Sequence, residues 1–221
     1  MKRHFRSGIS ASSGLGLSSL SRDELDSIHY ATLQILQDTG IKVMSEEALE
    51  VFHGGGAMVE RHEGFGIVSI PSFLVEESAF RSPHTFVYDA RNPADDFIME
   101  PNRVGFTTFG GCINVIDPHT RELRRATKKD CGGLIRVCDA LDEISVAVRA
   151  VNSTDVMEQA QSVHNLDAIL SNTGKHIFIG ADSVRNLQVM VDLASASVGG
   201  REVFEKRPVF TVSVCPISPL T

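Results

Sequence analysis

Few side chains in this sequence could act as acids or bases, and two of them stand close together. His164 and Asp167 lie three residues apart in a segment with helical spacing, so an imidazole and a carboxylate could pair on one helix face. Asp167 falls among the apolar positions of that segment, where an unpaired charge is costly. The sequence therefore favours a carboxylate that a neighbouring N–H or arginine satisfies over a functional acid.

Two aromatic side chains precede a pair of glycines and could form a binding surface. Phe106 and Phe109 stand three residues apart in a predicted strand, and Gly110 and Gly111 follow directly. Glycine allows a backbone to approach a ligand or another strand closely. The pattern favours phenylalanines in the core of a sheet, with the wall of a ligand site as the alternative.

The cysteines give no sign of a metal or redox site. None of the four forms a CxxC pair, and no HExxH motif or Cys/His cluster with zinc spacing occurs. We expect reduced thiols that pack in the interior, and no bound metal. The four residues are Cys112, Cys131, Cys138 and Cys215.

Composition and charge exclude several classes of function. The 221 residues carry a net charge of −7, whereas a nucleic-acid-binding protein usually needs a basic face. No apolar run approaches the ~18 residues that span a bilayer, and no apolar segment follows the basic amino-terminal residues as it does in a signal peptide. We expect a cytoplasmic globular protein that binds neither nucleic acid nor membrane.

The last third of the chain must position any site. Residues 144–148, 176–179 and 208–214 are apolar or β-branched runs, and residues 156–170 and 184–198 between them have helical spacing. Strands that alternate with helices predict parallel βαβ units. The predicted fold class is therefore α/β.

An amino-terminal α+β region precedes this run. We predict a flexible arm rich in Ser and Gly over residues 1–20, then helices and a β-rich middle over residues 21–143. Ser21 and Glu24 form a capping box, which begins a helix. Apolar side chains of that helix fall on one face and are predicted to pack: Leu25, Ile28, Ile35 and Leu36.

Several segments, taken in order, resemble one known family. They are residues 25–43, Tyr88-Asp89-Ala90-Arg91-Asn92-Pro93, Phe109-Gly110-Gly111-Cys112-Ile113-Asn114-Val115, and the stretch from Lys206-Arg207-Pro208 to Leu220. Their order and spacing over about residues 20–221 resemble the amino-terminal portion of the trimethylamine methyltransferase family.

The resemblance implies a methyltransferase with a TIM-type barrel behind an amino-terminal helical and β-rich region. Members move a methyl group from a methylated amine to the Co(I) centre of a corrinoid that a separate small protein carries. Some act on trimethylamine and contain pyrrolysine in the later barrel, and others act on quaternary amines such as glycine betaine. The implied partners are a corrinoid protein and a methylated amine, with no cofactor bound directly.

The chemistry of such donors requires positioning and cation recognition. A quaternary ammonium already leaves as a neutral amine, whereas a tertiary amine must first be activated. The protein then orients the methyl carbon against cobalt. Aromatic faces suit the cation, which adds weight to Phe106 and Phe109 as substrate-binding candidates.

A TIM-type barrel would place the site at the carboxyl ends of its strands. The predicted ends are residues 151–153, 180–182 and 215–218. Asn152 and Asp182 are therefore the polar substrate-binding candidates at the barrel mouth. Asp182 has the alternative role of capping the helix that follows, and no catalytic residue is assigned.

The length of the chain limits how much of a barrel it can form. An eight-stranded barrel needs ~250 residues, and residues 144–221 supply about three strands, which cannot close. We expect a truncated or split enzyme with little activity alone, associated with itself or with a complementary chain. The alternatives are a non-catalytic module that binds a corrinoid protein or a complementary chain, and a small nucleotide-binding protein, which the lack of a glycine fingerprint disfavours.

Overall fold

A computed structural model describes residues 19–101 and 103–214. These residues divide into two compact units, residues 19–83 and His84–Val214. The predicted arm lies outside the described residues except for its last two positions, as do the predicted strand end at residues 215–218 and Cys215 within it. Within the described ranges, no helix is long and apolar enough to cross a membrane.

The first unit begins with helix α1 (Arg22–Gln34), and the predicted capping box is confirmed. The backbone N–H of Glu24 donates to Ser21 Oγ at 3.3 Å, and the backbone N–H of Ser21 donates to the Glu24 carboxylate at 2.7 Å. A π-helical turn, Ile35–Thr39, follows and ends at Gly40. Gly40 has a φ of 71°, and a Cβ there would lie 2.6 Å from the carbonyl oxygen of Val68, so the position requires glycine.

The predicted packing face of α1 is wrong. Leu25, Ile28 and Ile35 are 50%, 55% and 59% exposed, whereas Leu33 is 5% exposed. Helical periodicity identifies a stripe of apolar residues, but it does not show whether another element covers that stripe.

An antiparallel sheet and two helices complete the first unit. In chain order the elements are β1 (Ile41–Val43), α2 (Glu46–Gly54), β2 (Met58–His62), β3 (Phe65–Ser69) and α3 (Ser72–Arg81). The sheet has the order β1–β3–β2. Its small core consists of Leu49, Ala57 and Val68.

The second unit contains a hairpin-rich start and then alternating strands and helices. Its elements are β4 (Phe86–Tyr88), β5 (Phe97–Met99), β6 (Phe106–Thr107), β7 (Asn114–Ile116), β8 (Leu123–Arg125), α4 (Lys128–Ala140), β9 (Ile144–Val148), α5 (Gln161–Leu170), β10 (His176–Gly180), α6 (Val184–Ser197), α7 (Arg201–Lys206) and β11 (Phe210–Ser213). Strands β4 and β5 form one antiparallel pair, and β7 and β8 form another. Strands β6, β9, β10 and β11 form a parallel sheet of order β11–β10–β9–β6.

The three parallel strands that the sequence predicts are confirmed, and the structure adds a fourth. Strand β6 pairs in parallel with β9, with Phe106 opposite Ile144. A two-residue strand carries too little periodicity to reveal a partner almost forty residues away. The helix predicted from residue 156 begins only at Gln161, after a 3₁₀ turn at Glu158–Ala160, and α7 was not predicted.

Helices and sheet enclose the main core. Helix α5 packs against α4, α6 and β10. The largest side chains of this core are at most 1% exposed: Ile135, Leu166, Ile169, Ile177 and Met190. Cys131 and Cys138 are buried, as predicted, whereas Cys112 is exposed, so the prediction is wrong for that residue. Burial raises the pKa of the Cys131 thiol to about 11.

Candidate functional site

Asn152 lies just beyond the carboxyl end of β9 and is held from two sides. Its Nδ2 donates to the carbonyl oxygen of Gly111 at 2.8 Å, and its Oδ1 accepts from Nδ2 of Asn165 at 3.4 Å. Asn165 is fully buried and is itself fixed, because its Oδ1 accepts from the backbone N–H and the hydroxyl of Ser153 at 2.9 and 2.7 Å. The amide of Asn152 is therefore a rigid part of this strand end.

The glycine pair explains how the neighbouring loop reaches Asn152. Gly110 and Gly111 have φ angles of 153° and 96°, and a Cβ at Gly110 would lie 2.7 Å from the carbonyl oxygen of Ala150. That oxygen accepts from the backbone N–H groups of Gly111 and Cys112 at 3.0 and 3.1 Å. The close approach that the glycines predict is confirmed, and its target is the backbone that follows β9.

Asp182 follows β10 and anchors two neighbouring helices. Its Oδ1 accepts from the hydroxyl of Ser162 and from Nδ2 of Asn186, the latter at 3.1 Å. Burial acts to raise the pKa of Asp182, but these hydrogen bonds outweigh it and lower the pKa, so the carboxylate is charged at neutral pH. The alternative role as helix cap is wrong, since Ser183 caps α6.

Arg149 joins these residues, although the sequence analysis did not single it out. A Cβ at Gly111 would lie 3.1 Å from Nη2 of Arg149 and 3.6 Å from Nδ2 of Asn152. Nε of Arg149 is buried and finds no hydrogen-bond partner among the described residues. Burial lowers the pKa of Arg149, and the negative charge of Asp182 opposes that shift. The sequence signal that could have identified Arg149 is its position as a charged residue directly after the apolar strand β9.

The aromatic candidates are exposed. Phe106 is 55% and Phe109 is 93% exposed, so the expectation that they fill the core of a sheet is wrong. The structure shows no ring contact for either phenylalanine among the described residues.

The polar candidates lie closer together. The structure brings Arg149, Gly111 and Asn152 together and places the charge of Asp182 near them.

His164 and Asp167 share a lysine. Nζ of Lys128 lies 2.5 Å from a carboxylate oxygen of Asp167 and 3.3 Å from Nδ1 of His164. A neighbouring N–H thus satisfies Asp167, as predicted, but the donor is a lysine of α4. The group is an ion pair that joins α4 to α5. Across the described ranges, no cluster of three His, Cys, Asp or Glu residues could hold a metal ion.

Comparison with known proteins finds a matching family model and several similar sequences. A family model described as trimethylamine methyltransferase (MTTB) matches residues 13–221. A trimethylamine methyltransferase of Desulfitobacterium hafniense is 40% identical over 215 residues, which cover 97% of this chain and 43% of the relative. One of Methanosarcina barkeri is 32% identical over 225 residues, which cover 99% and 45%.

A more distant relative carries a different substrate in its name. A glycine betaine methyltransferase of D. hafniense is 24% identical over 206 residues, which cover 91% of this chain and 41% of the relative. The chain thus spans less than half the length of these relatives. With a family model that matches nearly the whole chain, it belongs to the trimethylamine methyltransferase family.

Proposed function

We propose that this chain is the amino-terminal part of an enzyme that transfers a methyl group from a methylated amine to a corrinoid on a partner protein. Family membership supports the reaction class. The observation that carries the proposal is the polar cluster of Arg149, Asn152 and Asp182 just beyond β9 and β10. Sites of parallel α/β folds lie at this edge of the sheet.

The strand order supports a TIM-type barrel as the scaffold. Strands β6, β9, β10 and β11 are adjacent in the order in which they occur along the chain, and α4, α5 and α6 pack side by side in the same order. A doubly wound sheet instead reverses its strand order at a switch point. Further βα units, from a longer chain or a complementary one, would complete the barrel.

The residues of this chain would bind and orient the amine. The corrinoid, when a partner presents it, supplies the nucleophilic Co(I) that accepts the methyl group. Phe109, which is 93% exposed, offers an aromatic face to a cation. The amide of Asn152 and the carboxylate of Asp182 would position the amine so that its methyl carbon faces the acceptor.

Methyl transfer tests the proposal directly. The chain would be mixed with a reduced corrinoid protein and with trimethylamine, tetramethylammonium or glycine betaine, while the loss of Co(I) absorbance is followed. We expect little reaction from the chain alone. We expect methylation once the barrel is completed by the part of the D. hafniense relative beyond the matched region.

Two outcomes would contradict this picture. Methylation by the isolated chain would show that no completion is needed. Association of the chain with the added segment of the relative in size-exclusion chromatography, without demethylation of any of the amines, would show that the proposed enzymatic function is wrong.

The second candidate function is that of a non-catalytic binding module. Tyr30, Phe73 and Phe80 are 66%, 61% and 83% exposed, and exposed aromatic side chains of this kind could contact another chain. The module would bind a corrinoid protein, a complementary chain or a second copy of itself. It would account for association of the two segments without methyl transfer.

A further inference from the structure

An open groove lies between the β7–β8 hairpin and the exposed face of α4, and we call it the α4 groove. Its volume is about 790 Å³. Its apolar lining is accessible to solvent, because Ile116 of the hairpin is 66% exposed and Leu134 and Val137 of α4 are 39% and 58% exposed. Burial of these side chains against a partner would be favourable.

The α4 groove is cationic, although the chain as a whole is acidic. Four cationic and two anionic side chains line it, which gives a net charge of +2, against −7 for the chain. The cations are Arg124, Arg125, Lys129 and Arg136, and the anions are Asp117 and Asp130. A groove of this charge complements an acidic partner rather than a basic one.

Three of these cations are available to a partner. Both carboxylates of the groove pair with Arg124, at 3.0 and 2.7 Å. In the part of the chain that the structure describes, the other three cations are exposed and form no ion pair: Arg125, Lys129 and Arg136. Their charges can therefore pair with carboxylates of another protein.

Gly133 opens the middle of the α4 groove. It lies inside α4, where glycine is less favourable than alanine, and a Cβ at this position would meet nothing within 4 Å. A Cβ at the neighbouring Gly132 would instead lie 2.7 Å from Nδ2 of Asn172. Packing within the chain thus explains Gly132 but not Gly133, whereas a partner that approaches the helix closely would explain Gly133.

The α4 groove adjoins the polar edge of the parallel sheet. The backbone N–H of Asn152 donates to the carbonyl oxygen of Cys112, two residues before β7, at 2.8 Å. The backbone N–H of Lys128, the first residue of α4, donates to Oδ1 of Asp155 at 2.7 Å. The segment that follows β9 is therefore bonded to both walls of the groove, so a protein bound there would lie beside Asn152.

We propose that the α4 groove docks the protein that carries the methyl acceptor, through an acidic segment that also presents apolar side chains. This inference rests on the proposed function, because it assigns a docking surface to the partner of the same site. Carboxylates of the segment would pair with Arg125, Lys129 and Arg136, and its apolar side chains would cover Ile116 and Val137.

Calorimetric titration of the 221-residue chain with the cobalamin-loaded corrinoid protein tests the inference without methyl transfer. We expect binding that weakens as the salt concentration rises from about 50 to about 500 mM, because exposed charges are screened. The double variant Lys129→Glu/Arg136→Glu should raise the Kd more than about 10-fold, since it places like charges opposite the partner's carboxylates.

A matched charge reversal separates docking from net charge. Arg201→Glu/Lys206→Glu makes the same change of charge in α7, which does not line the groove, and it should leave the Kd nearly unchanged. Near-ultraviolet circular dichroism checks that both double variants fold. The milder Lys129→Gln/Arg136→Gln serves if the groove reversal does not fold.

Gly133→Gln gives a readout that a purely structural role would not produce. Glutamine is the better helix former and has open space at this position, so the variant should melt at a higher temperature than the wild type. Its side chain would fill the groove, so the same variant should bind the corrinoid protein several-fold more weakly. Absence of binding by the wild type, equal effects of the two charge reversals, or unaltered binding by Gly133→Gln would overturn the inference.

The same materials distinguish this inference from the proposed function. Groove-dependent binding of the corrinoid protein without methyl transfer by the completed enzyme would leave the docking surface standing and refute the function. Methyl transfer by a completed enzyme that carries Lys129→Glu/Arg136→Glu, at the wild-type rate and with the wild-type Kd, would do the reverse.

Discussion

His176 is the most deeply buried titratable side chain at the amino end of the parallel sheet. It is 2% exposed, and its ring packs against that of Tyr88 at an interplanar angle of 33°, with 4.5 Å between the ring centroids. Nδ1 lies 2.9 Å from the carbonyl oxygen of Asp89, which can only accept, so Nδ1 carries the proton. Nε2 then accepts from the hydroxyl of Thr211 at 2.9 Å. The neutral imidazole is thus fully satisfied.

Acid should destabilise the protein through His176. Burial lowers the pKa of His176 from its usual 6.5 to about 4, so the unfolded chain binds more protons between these values. Stability is therefore fully present above pH 6.5 and is lost as the pH falls toward 4, by about 2 kcal/mol at pH 5. Urea denaturation at pH 7 and pH 5 measures this loss.

Two variants isolate the contribution of His176. His176→Asn should be less stable at pH 7 and should lack most of the difference between the two pH values. His119→Asn, in the exposed β7–β8 hairpin, should keep it. An unchanged pH dependence in His176→Asn would show that other groups titrate.

At the scale of elements, two of the family-like segments turn out to contact each other. Arg207, just after α7, pairs with Asp89 at 3.2 Å and with Asp96 at 2.7 Å. Asp96 also accepts from the backbone N–H of Ala90 at 2.9 Å and is 7% exposed. The loop between β4 and β5 is thereby tied to the segment that enters β11.

Removal of Arg207 should cost more than an ordinary surface ion pair. Arg207→Met leaves the buried carboxylate of Asp96 without its countercharge, which we expect to cost about 2 kcal/mol because Arg207 is itself partly exposed. Asp96→Asn should offset part of that loss in the double variant. A double-mutant cycle in urea measures the coupling.

An exposed pair in the neighbouring helix provides the control. Arg201 and Glu205 are 59% and 61% exposed and pair at 2.9 Å, so Arg201→Met should change the free energy of unfolding by less than about 0.5 kcal/mol. Additive effects of Arg207→Met and Asp96→Asn would mean that the two groups contribute independently.

At the scale of the whole molecule, the described residues of the second unit already shield its core from solvent. Leu166 and Ile169 of α5 are fully buried against the sheet, although the described strands form an open row. We expect a cooperative thermal transition by circular dichroism for this reason. Leu166→Ala should destabilise the chain by about 2–5 kcal/mol, and Leu123→Ala, at a site that is 71% exposed, should have little effect.

A different melting behaviour would carry information about the fold. A broad transition with strong binding of the dye ANS would indicate that this core does not form without further βα units. Indifference of the transition to Leu166→Ala would lead to the same conclusion.

Local chemistry made part of this structure predictable. The capping box at Ser21 and the alternation of apolar runs with helical spacing depend on residues close in the chain. Gly110 and Gly111 predicted a close backbone approach, because glycine has no side chain and readily adopts positive φ. The same pattern located the carboxyl ends of the strands, so the sequence could place Asn152 and Asp182 at those ends.

The sequence by itself thus determined the α/β class, the parallel strands from Ile144 onward and the family. Only the tertiary structure decided that β6 joins the parallel sheet and that Phe109 is exposed. It also decided that Arg149 meets Gly111 and Asn152, with an Nε that has no hydrogen-bond partner in the described part of the chain. The reason is physical. Hydrogen bonding along a helix or within a turn is local, whereas burial and ion pairing join residues that are tens of positions apart and depend on which surfaces the fold brings together.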